Sequence, residues 1–480
     1  MRIDEIPVGL SYEDVLLVPR KSAIDSRRSV STATEIAKSI KLNVPLVSAN
    51  MDTVTEAPMA IAMATEGGIG IIHRFMTIER EANEVKKAKR AQSYIIKDPY
   101  STGPNTTIGD AREIMAKNEF SGLLIVDTSG KLLGILSDRD IRFVTDDKMK
   151  VSDAMTHREK LIVGFPGITP EDALKLLDKH RLEKLPIVDK QNLVKGLITS
   201  KDIYKTTHSE KAARDRKGRL LVGAAIGVKG DYLDRAQALV DSEVDVLVLD
   251  IAHGHSQSVM DAIKKIKSKV SGVPLIAGNV ATKEATLDLI SAGADGLKVG
   301  IGPGAACITR NVTGAGMPQL TAVMDCVEAA SKSKIPIIAD GGVKTSGDIT
   351  KALAAGASAV MMGSMFAGTE ESPGYFVTRN GIKYKSYRGM ASFGANISRK
   401  KLDKVEIDPQ DAFDIVPEGV ESSVPYKGTV KEVVYQLVGG IRSGMTYSGA
   451  STLEDLRKNA KFIRLTFSAA KESYEKLEQY

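Results

Sequence analysis

Only two cysteines occur in the 480 residues, Cys307 and Cys326, and there is no tryptophan. Two thiols cannot build the disulfide framework of a small secreted domain, so the fold has to rest on apolar burial. No apolar run approaches the ~20 residues that cross a bilayer. No long basic stretch concentrates the excess of 66 Lys and Arg over 60 Asp and Glu. A nucleic-acid partner is therefore not expected, and the net charge of +6 suits a small anionic substrate instead. The first residues, MRIDEIPVGLSYEDVLL, carry acids where a signal peptide has its basic region, so a cytoplasmic location without a membrane partner is expected.

At 42% hydrophobic and 26% charged, the composition is that of a globular protein, and the length exceeds what one core holds. Two or three domains are expected. The most telling stretch is Lys298-Val-Gly-Ile-Gly-Pro-Gly-Ala-Ala-Cys-Ile-Thr-Arg310, which ends a glycine-rich loop with a cysteine directly after an apolar run. Backbone N–H groups presented by such a loop favour thiolate over thiol, so Cys307 reads as a nucleophile. The alternative is a small buried hydrophobe, the commoner state of a free cysteine. Cys326 lies in TAVMDCVEAA, a helical pattern, and reads as core.

From about residue 219 short β-rich runs alternate with helical segments: LLVGAAIG, DVLVLDIA, PLIAGNV, GLKVGIG, IPIIADGG and AVMMGSM. Runs that are apolar throughout belong to parallel strands buried on both faces, and VPLVSANMD (44–52) and GGIGIIHR (67–74) supply two more. The pattern predicts an α/β fold, a (β/α)8 TIM barrel whose strand-end loops carry the chemistry, formed by 1–92 and 211–480. Within the interruption, Thr107-Ile-Gly-Asp-Ala111 recurs as Thr169-Pro-Glu-Asp-Ala173, Asp127 as Asp189, and Gly134–Ile141 as Gly196–Ile203, each time 62 residues on. Residues 93–150 and 151–210 thus read as two copies of one αβ module. Each copy resembles a CBS domain, and the pair resembles a nucleotide-binding Bateman module. That resemblance implies a regulatory purine nucleotide on Ser137, Asp140, Thr199 and Asp202; helix capping is the other reading of the same residues.

Gly341, Gly342, Gly363, Ser364 and Gly389 have small or absent side chains, so their N–H groups can approach a phosphate as a nest does, with the Tyr387 hydroxyl as a further donor. Singly, each glycine reads as a tight turn; their clustering after successive strands points to an anion site. His253 and His255 lack further ligand candidates nearby, so a metal site there is disfavoured.

An ordered set of motifs covers almost the whole chain: LSYEDVLLVP (10–19), MDTVTE (51–56), DIAHGH (250–255), AGNV (277–280), GPGAACITR (302–310), DGGV (340–343), MMGS (361–364), YKSYRGM (384–390) and VPEGVESSVPYKG (416–428). With these motifs the sequence resembles the IMP dehydrogenase/GMP reductase family. The resemblance implies that Cys307 attacks C2 of a purine mononucleotide and that hydride passes between that carbon and the nicotinamide of NAD, or NADP in a reductase. Asp340 then takes the ribose, and Gly341, Gly342, Gly363, Ser364, Tyr387, Gly389 and Met390 the rest of the nucleotide. Asp250, His253, Asn279 and Gly300 lie towards the dinucleotide, Thr309 and Glu418 form a proton relay, and carbonyls of Gly302, Gly304 and Cys307 hold potassium or another monovalent cation. A homotetramer, or an octamer through the CBS pair, is implied.

The branch within the family is set by weighing departures. IMP dehydrogenases carry an adjacent Arg-Tyr pair in the flap, absent from GMASFGANISRKKLDKVEIDPQDAFDIVPEG, where Arg399 is the only arginine and is the catalytic residue expected to assist the Thr309–Glu418 relay. Ala305 stands where the family has a phosphate-contacting serine, which removes a bond of ~1.5–3 kcal/mol. DSRRSVST (25–32), TGAGMPQL (313–320), TYSG (446–449) and FIRLT (462–466) look like GMP reductase, but Glu418-Gly419 is followed by Val420 rather than that branch's lysine. Flap length, the VPEGVESSVPYKG exit and the tandem insert favour IMP dehydrogenase, with GMP reductase as the alternative. A nucleotide sensor with reduced catalysis is the third reading, disfavoured by retention of Cys307, Thr309 and Glu418 together.

Overall fold

The computed structural model describes residues 5–91, 95–96, 99–117, 120–200, 203, 211–402 and 416–475. They fall into two compact units, Met1–Ala91 with Lys211–Asp215 and Leu220–Tyr480, and Gln92–Glu210 with Arg216–Arg219.

The first unit is built on eight parallel strands: β1 (Leu46–Ser48), β2 (Ile69–Ile72), β3 (Gly223–Ile226), β4 (Val246–Asp250), β5 (Leu275–Val280), β6 (Gly296–Val299), β7 (Ile337–Asp340) and β8 (Ala359–Met362). They close into a barrel in chain order, β8 pairing with β1. The eight runs expected from the sequence are these strands. Alternate side chains divide between two cores, as strand geometry requires. Val47, Ile69, Ile71, Val248, Ile276, Ile338 and Met361 fill the barrel, while Leu46, Ile72, Leu247, Leu275 and Val360 lie in the outer core that the helices share. The inner packing leaves no spare room: a methyl at Gly223 would sit 2.4 Å from Ile71 Cδ1.

Helices follow the strands with recognisable starts. Thr282 Oγ1 accepts from Ala285 N–H to open Lys283–Ala292, and Thr345 and Asp348 form a reciprocal capping box on Ser346–Ala354. Cys326 is fully buried in Gln319–Ala330, as its helical pattern suggested, and burial pushes its thiol up to about 11. Among the described residues no helix is long and apolar enough to cross a membrane.

The interruption of the barrel lies between β2 and β3, and one ammonium ties the chain before it to the chain after it. Lys89 Nζ, on Ile78–Arg90 before the interruption, lies 2.9 Å from Asp215 and 2.8 Å from Asp245 and donates to the Leu220 carbonyl at 3.0 Å. A buried ammonium is costly without such partners, and here two carboxylates and a carbonyl take its three protons.

In the second unit the duplication is visible in atoms. Helices Ile108–Lys117 and Pro170–His180 start 62 residues apart, as do strands Gly122–Val126 and Lys184–Val188, and Leu132–Ser137 and Val194–Thr199. Thr107 Oγ1 accepts from Asp110 N–H and Thr169 Oγ1 from Asp172 N–H, both at 3.2 Å. Asp127 Oδ1 accepts from the backbone of Ser129 and Lys131, and Asp189 Oδ1 from that of Gln191 and Leu193. Equivalent side chains therefore perform the same local task in each copy.

Candidate active site

The carboxyl ends of the barrel strands surround a cavity of about 600 Å3. Its size lies within the ~300–1,000 Å3 usual for small-molecule sites. Loops after six strands contribute: Asn50 and Met51 after β1, Arg74 after β2, Asp250 at the end of β4, the 303–309 loop after β6, Asp340 to Lys344 after β7, and Gly363 to Met365 after β8.

On one wall, Cys307 is half-buried, and its Sγ lies 3.2 Å from Thr309 Oγ1. Thr309 donates to Glu418 Oε2 at 2.8 Å. Cysteine and carboxylate lie 111 positions apart in the chain, and backbone pairing brings them together. Ile308 N–H donates to the Glu418 carbonyl at 2.8 Å, Val420 N–H to that of Ala306 at 3.0 Å, and Cys307 pairs with Gly419 as an isolated bridge. Thiol, hydroxyl and carboxylate thus form a continuous path for a proton.

The opposite wall is charged and centred on Lys298 of β6. Its Nζ lies 2.7 Å from Asp250 and 2.7 Å from Asp340, and it also donates to Asn279 Oδ1. Asn279 Nδ2 in turn donates to the Gly300 carbonyl at 2.7 Å and to Asp340 Oδ2 at 3.0 Å. Burial opposes the charge on Asp250, but the Lys298 ammonium, assisted by Arg74 and Asn50, outweighs it and holds the carboxyl below its ordinary range. Burial likewise opposes charge on Lys298, and Asp250 and Asp340 together raise it above the ordinary lysine value.

The far end is a cradle of backbone. Gly341 and Gly342 take φ of +86° and +78°, a pair of left-handed conformations that only glycine adopts freely. A methyl at Gly363 would lie 2.8 Å from the Met51 sulfur and 3.0 Å from the Tyr387 hydroxyl. Tyr387 is 5% exposed, and burial, with Asp340 and Cys307 nearby, pushes its phenol up to about 12, so it stays a neutral donor. The roof comes from Gly389, Met390, Ala391, Asn396 and Arg399. It is tied down where Arg388 donates twice to Asp52, Nε at 2.9 Å, and Asp52 N–H contacts the Met390 sulfur at 3.4 Å.

Cys307, Thr309, Glu418, Arg399, Asp340, Gly341, Gly342, Gly363, Ser364, Tyr387, Gly389, Met390, Asp250 and Asn279 therefore line one cavity. Gly300 joins it through the Asn279 bond, and Gly304 lines it while Gly302 packs against the Arg310 side chain. His253 is exposed and stands outside the cavity lining. Sequence reading passed over Lys298, Arg74 and the Asp52–Arg388 pair. Lys298 did leave a signal, since a lysine inside the apolar run GLKVG has to be buried with a partner. In the second unit a cavity of about 1180 Å3 draws on both copies, with Arg112, Phe120 and Asp138 from one and Glu183, Lys184 and Thr199 from the other. Ser137 and Asp140 bond one another beside it, Oγ to Oδ2 at 2.7 Å, and Asp202 lies outside the described residues.

A closed parallel barrel with a cavity at the strand carboxyl ends that holds Cys307, Glu418, Lys298 and two aspartates defines the class, a (β/α)8-barrel enzyme. The model of the IMP dehydrogenase / GMP reductase domain matches residues 9–475, and the chain belongs to that family of oxidoreductases. It is 51% identical over 470 residues to the inosine-5'-monophosphate dehydrogenase of Nitrosopumilus maritimus, covering 98% of each chain. To the enzyme of that name in Bacillus subtilis it is 51% identical over 468 residues, 97% of this chain and 95% of the other. To the GMP reductase of Leishmania donovani it is 48% identical over 477 residues, 98% and 96%. Among solved structures, a GMP reductase variant from Trypanosoma brucei in complex with guanosine 5'-monophosphate matches with TM-score 0.89, at 45% identity and 98% coverage of each chain.

Proposed function

We propose that the protein is an IMP dehydrogenase, oxidising IMP to XMP with NAD as hydride acceptor. The observation that supports it best is the path from Cys307 through Thr309 to Glu418. In the proposed sequence the Cys307 thiolate bonds to C2 of the bound purine, hydride leaves C2, water adds to the same carbon, and the thiol departs. Glu418 draws the water's proton through Thr309, since a carboxylate hydrogen-bonded to a hydroxyl can serve as general base. Asp340 accepts from the ribose hydroxyls, the N–H groups of Gly342, Gly363 and Ser364 and the Tyr387 hydroxyl take the phosphate, and Met390 covers the base; the N–H groups of Gly341 and Gly389 already donate, to the Met361 and Val420 carbonyls at 3.4 and 3.0 Å. The dinucleotide would supply the hydride acceptor, held by Asp250, His253, Asn279 and Gly300; the Nε of Arg74, buried and without a hydrogen-bond partner among the described residues, suits its pyrophosphate. Neutral carbonyls of Gly302, Gly304 and Cys307 suit a hard monovalent cation, although the Gly304 carbonyl already accepts from Cys307 N–H at 3.0 Å.

The second unit is proposed to be a tandem CBS module, 93–150 and 151–210, set into a catalytic barrel of 1–92 and 211–480. Its cavity between copies would take a regulatory purine nucleotide, in keeping with a Trypanosoma brucei relative solved with guanosine 5'-triphosphate. A homotetramer or octamer in the cytoplasm completes this reading.

GMP reductase is the second reading, favoured by the missing Arg-Tyr pair in the flap sequence and by the reductase structures that match. Steady-state assay both ways decides: reduced nicotinamide appearing with IMP and NAD supports the dehydrogenase. Ammonia release from GMP with NADPH, without turnover of IMP, overturns it.

A further inference from the structure

We propose that Lys298 is a positioning residue that keeps the nucleotide-binding carboxylate ionised and aimed, by dividing one ammonium between Asp340 and Asp250. This rests on the reading of the cavity as a purine-nucleotide site. Lys298 is 3% exposed, and its three protons meet Asp250 Oδ1, Asp340 Oδ2 and Asn279 Oδ1. Among the described residues, the bonds to the Asp340 carboxyl fall on Oδ2, from Lys298 and from Asn279. Oδ1 is left to a ligand hydroxyl.

The cluster holds two carboxylates and one ammonium. The other groups facing it are Asn50 after β1, Arg74 after β2, Cys307 after β6 and Tyr387 of the roof; Arg74 acts on Asp250 through its field, and burial keeps the phenol neutral. Stability is a poor reason to keep Lys298, because buried ion clusters often yield to apolar isosteres without loss. Ligand binding is a better one. Without the ammonium, two carboxylates share one site and one of them takes up a proton at a pH where isolated carboxyls are ionised. A protonated Asp340 cannot accept from both ribose hydroxyls.

Calorimetric titration of IMP tests this. The ratio of Lys298→Met to wild-type affinity, in which the ligand's own titrations cancel, should fall roughly tenfold from about pH 9 to about pH 6, and Lys298→Arg should hold that ratio constant with pH. Lys298→Gln deletes the same charge and carries the same expectation if the Met variant does not fold. A uniform loss at every pH, or none, would overturn the proposal. A double-mutant cycle gives a second test: in Asp340→Asn, where the carboxylate to be aimed is gone, adding Lys298→Met should cost no further IMP affinity, and a full additive loss overturns the proposal too. Failure of IMP to bind wild-type protein would instead sink the functional reading.

Discussion

Replacing Cys307 by alanine deletes the thiol but leaves Asp340, Tyr387 and Met390, which the proposed reading assigns to nucleotide binding. Turnover should vanish while IMP affinity stays within about tenfold, ~1.4 kcal/mol; substantial remaining activity would show that the thiol is not the nucleophile. Glu418→Gln keeps a partner for Thr309 but removes the base. General-base assistance is worth roughly 10²–10⁴-fold, so rapid mixing with IMP and NAD should show a burst of reduced cofactor of undiminished size followed by a slower steady phase. A burst that shrinks with the mutation would move Glu418 into the hydride step. At this scale the sequence was legible where glycine or cysteine marked the chain, as at 302–307 and 341–342. It was silent on Asp52–Arg388 and on Arg74, because ordinary charged residues meet only when distant loops are folded over one another.

The strand ends explain why a barrel presents these groups so closely. Gly300, one residue past β6, has φ of +152°, and a methyl there would sit 2.1 Å from the Asp340 carbonyl oxygen. Gly300→Ala should therefore push β6 and β7 apart at the rim and destabilise the protein by several kcal/mol, on the order of an overpacked core site. Thermal denaturation measures this, and a melting temperature within a degree or two of wild type would contradict it. All eight barrel strands could be read from the sequence because strands buried on both faces are apolar throughout. Harder to read was the antiparallel piece formed by Ile382–Arg388 and Glu421–Pro425, where the burial pattern is mixed and strand Ile382–Arg388 runs into the roof of the cavity. Strand β4 carries Asp250 into the cavity, while His253, three residues on, is exposed and stands outside its lining.

For the whole molecule, the repeat announced itself through identical spacing, and the structure gives each copy the same caps and aspartate turns. Replacing residues 94–210 by a short Gly/Ser linker should keep turnover in both halves of the barrel and abolish any response to added ATP or GTP. A folded deletion with no activity would place part of the catalytic machinery in the insert. Loop-closure entropy favours the experiment, since doubling a connection costs only about 0.6 kcal/mol.

Lys89 has a consequence for how such a chain could arise. Because one ammonium grips Asp215, Asp245 and the Leu220 carbonyl, the barrel's closure between β2 and β3 is enforced on the barrel side of the junction, whatever lies beyond it. The junction is in effect a socket: a sequence can be spliced in, exchanged or lost there without the host having to relearn its fold, so ancestry of barrel and insert need not be shared. Lys89→Met would turn the socket into a seam, and only then should the length of the spliced segment govern how well the host holds together.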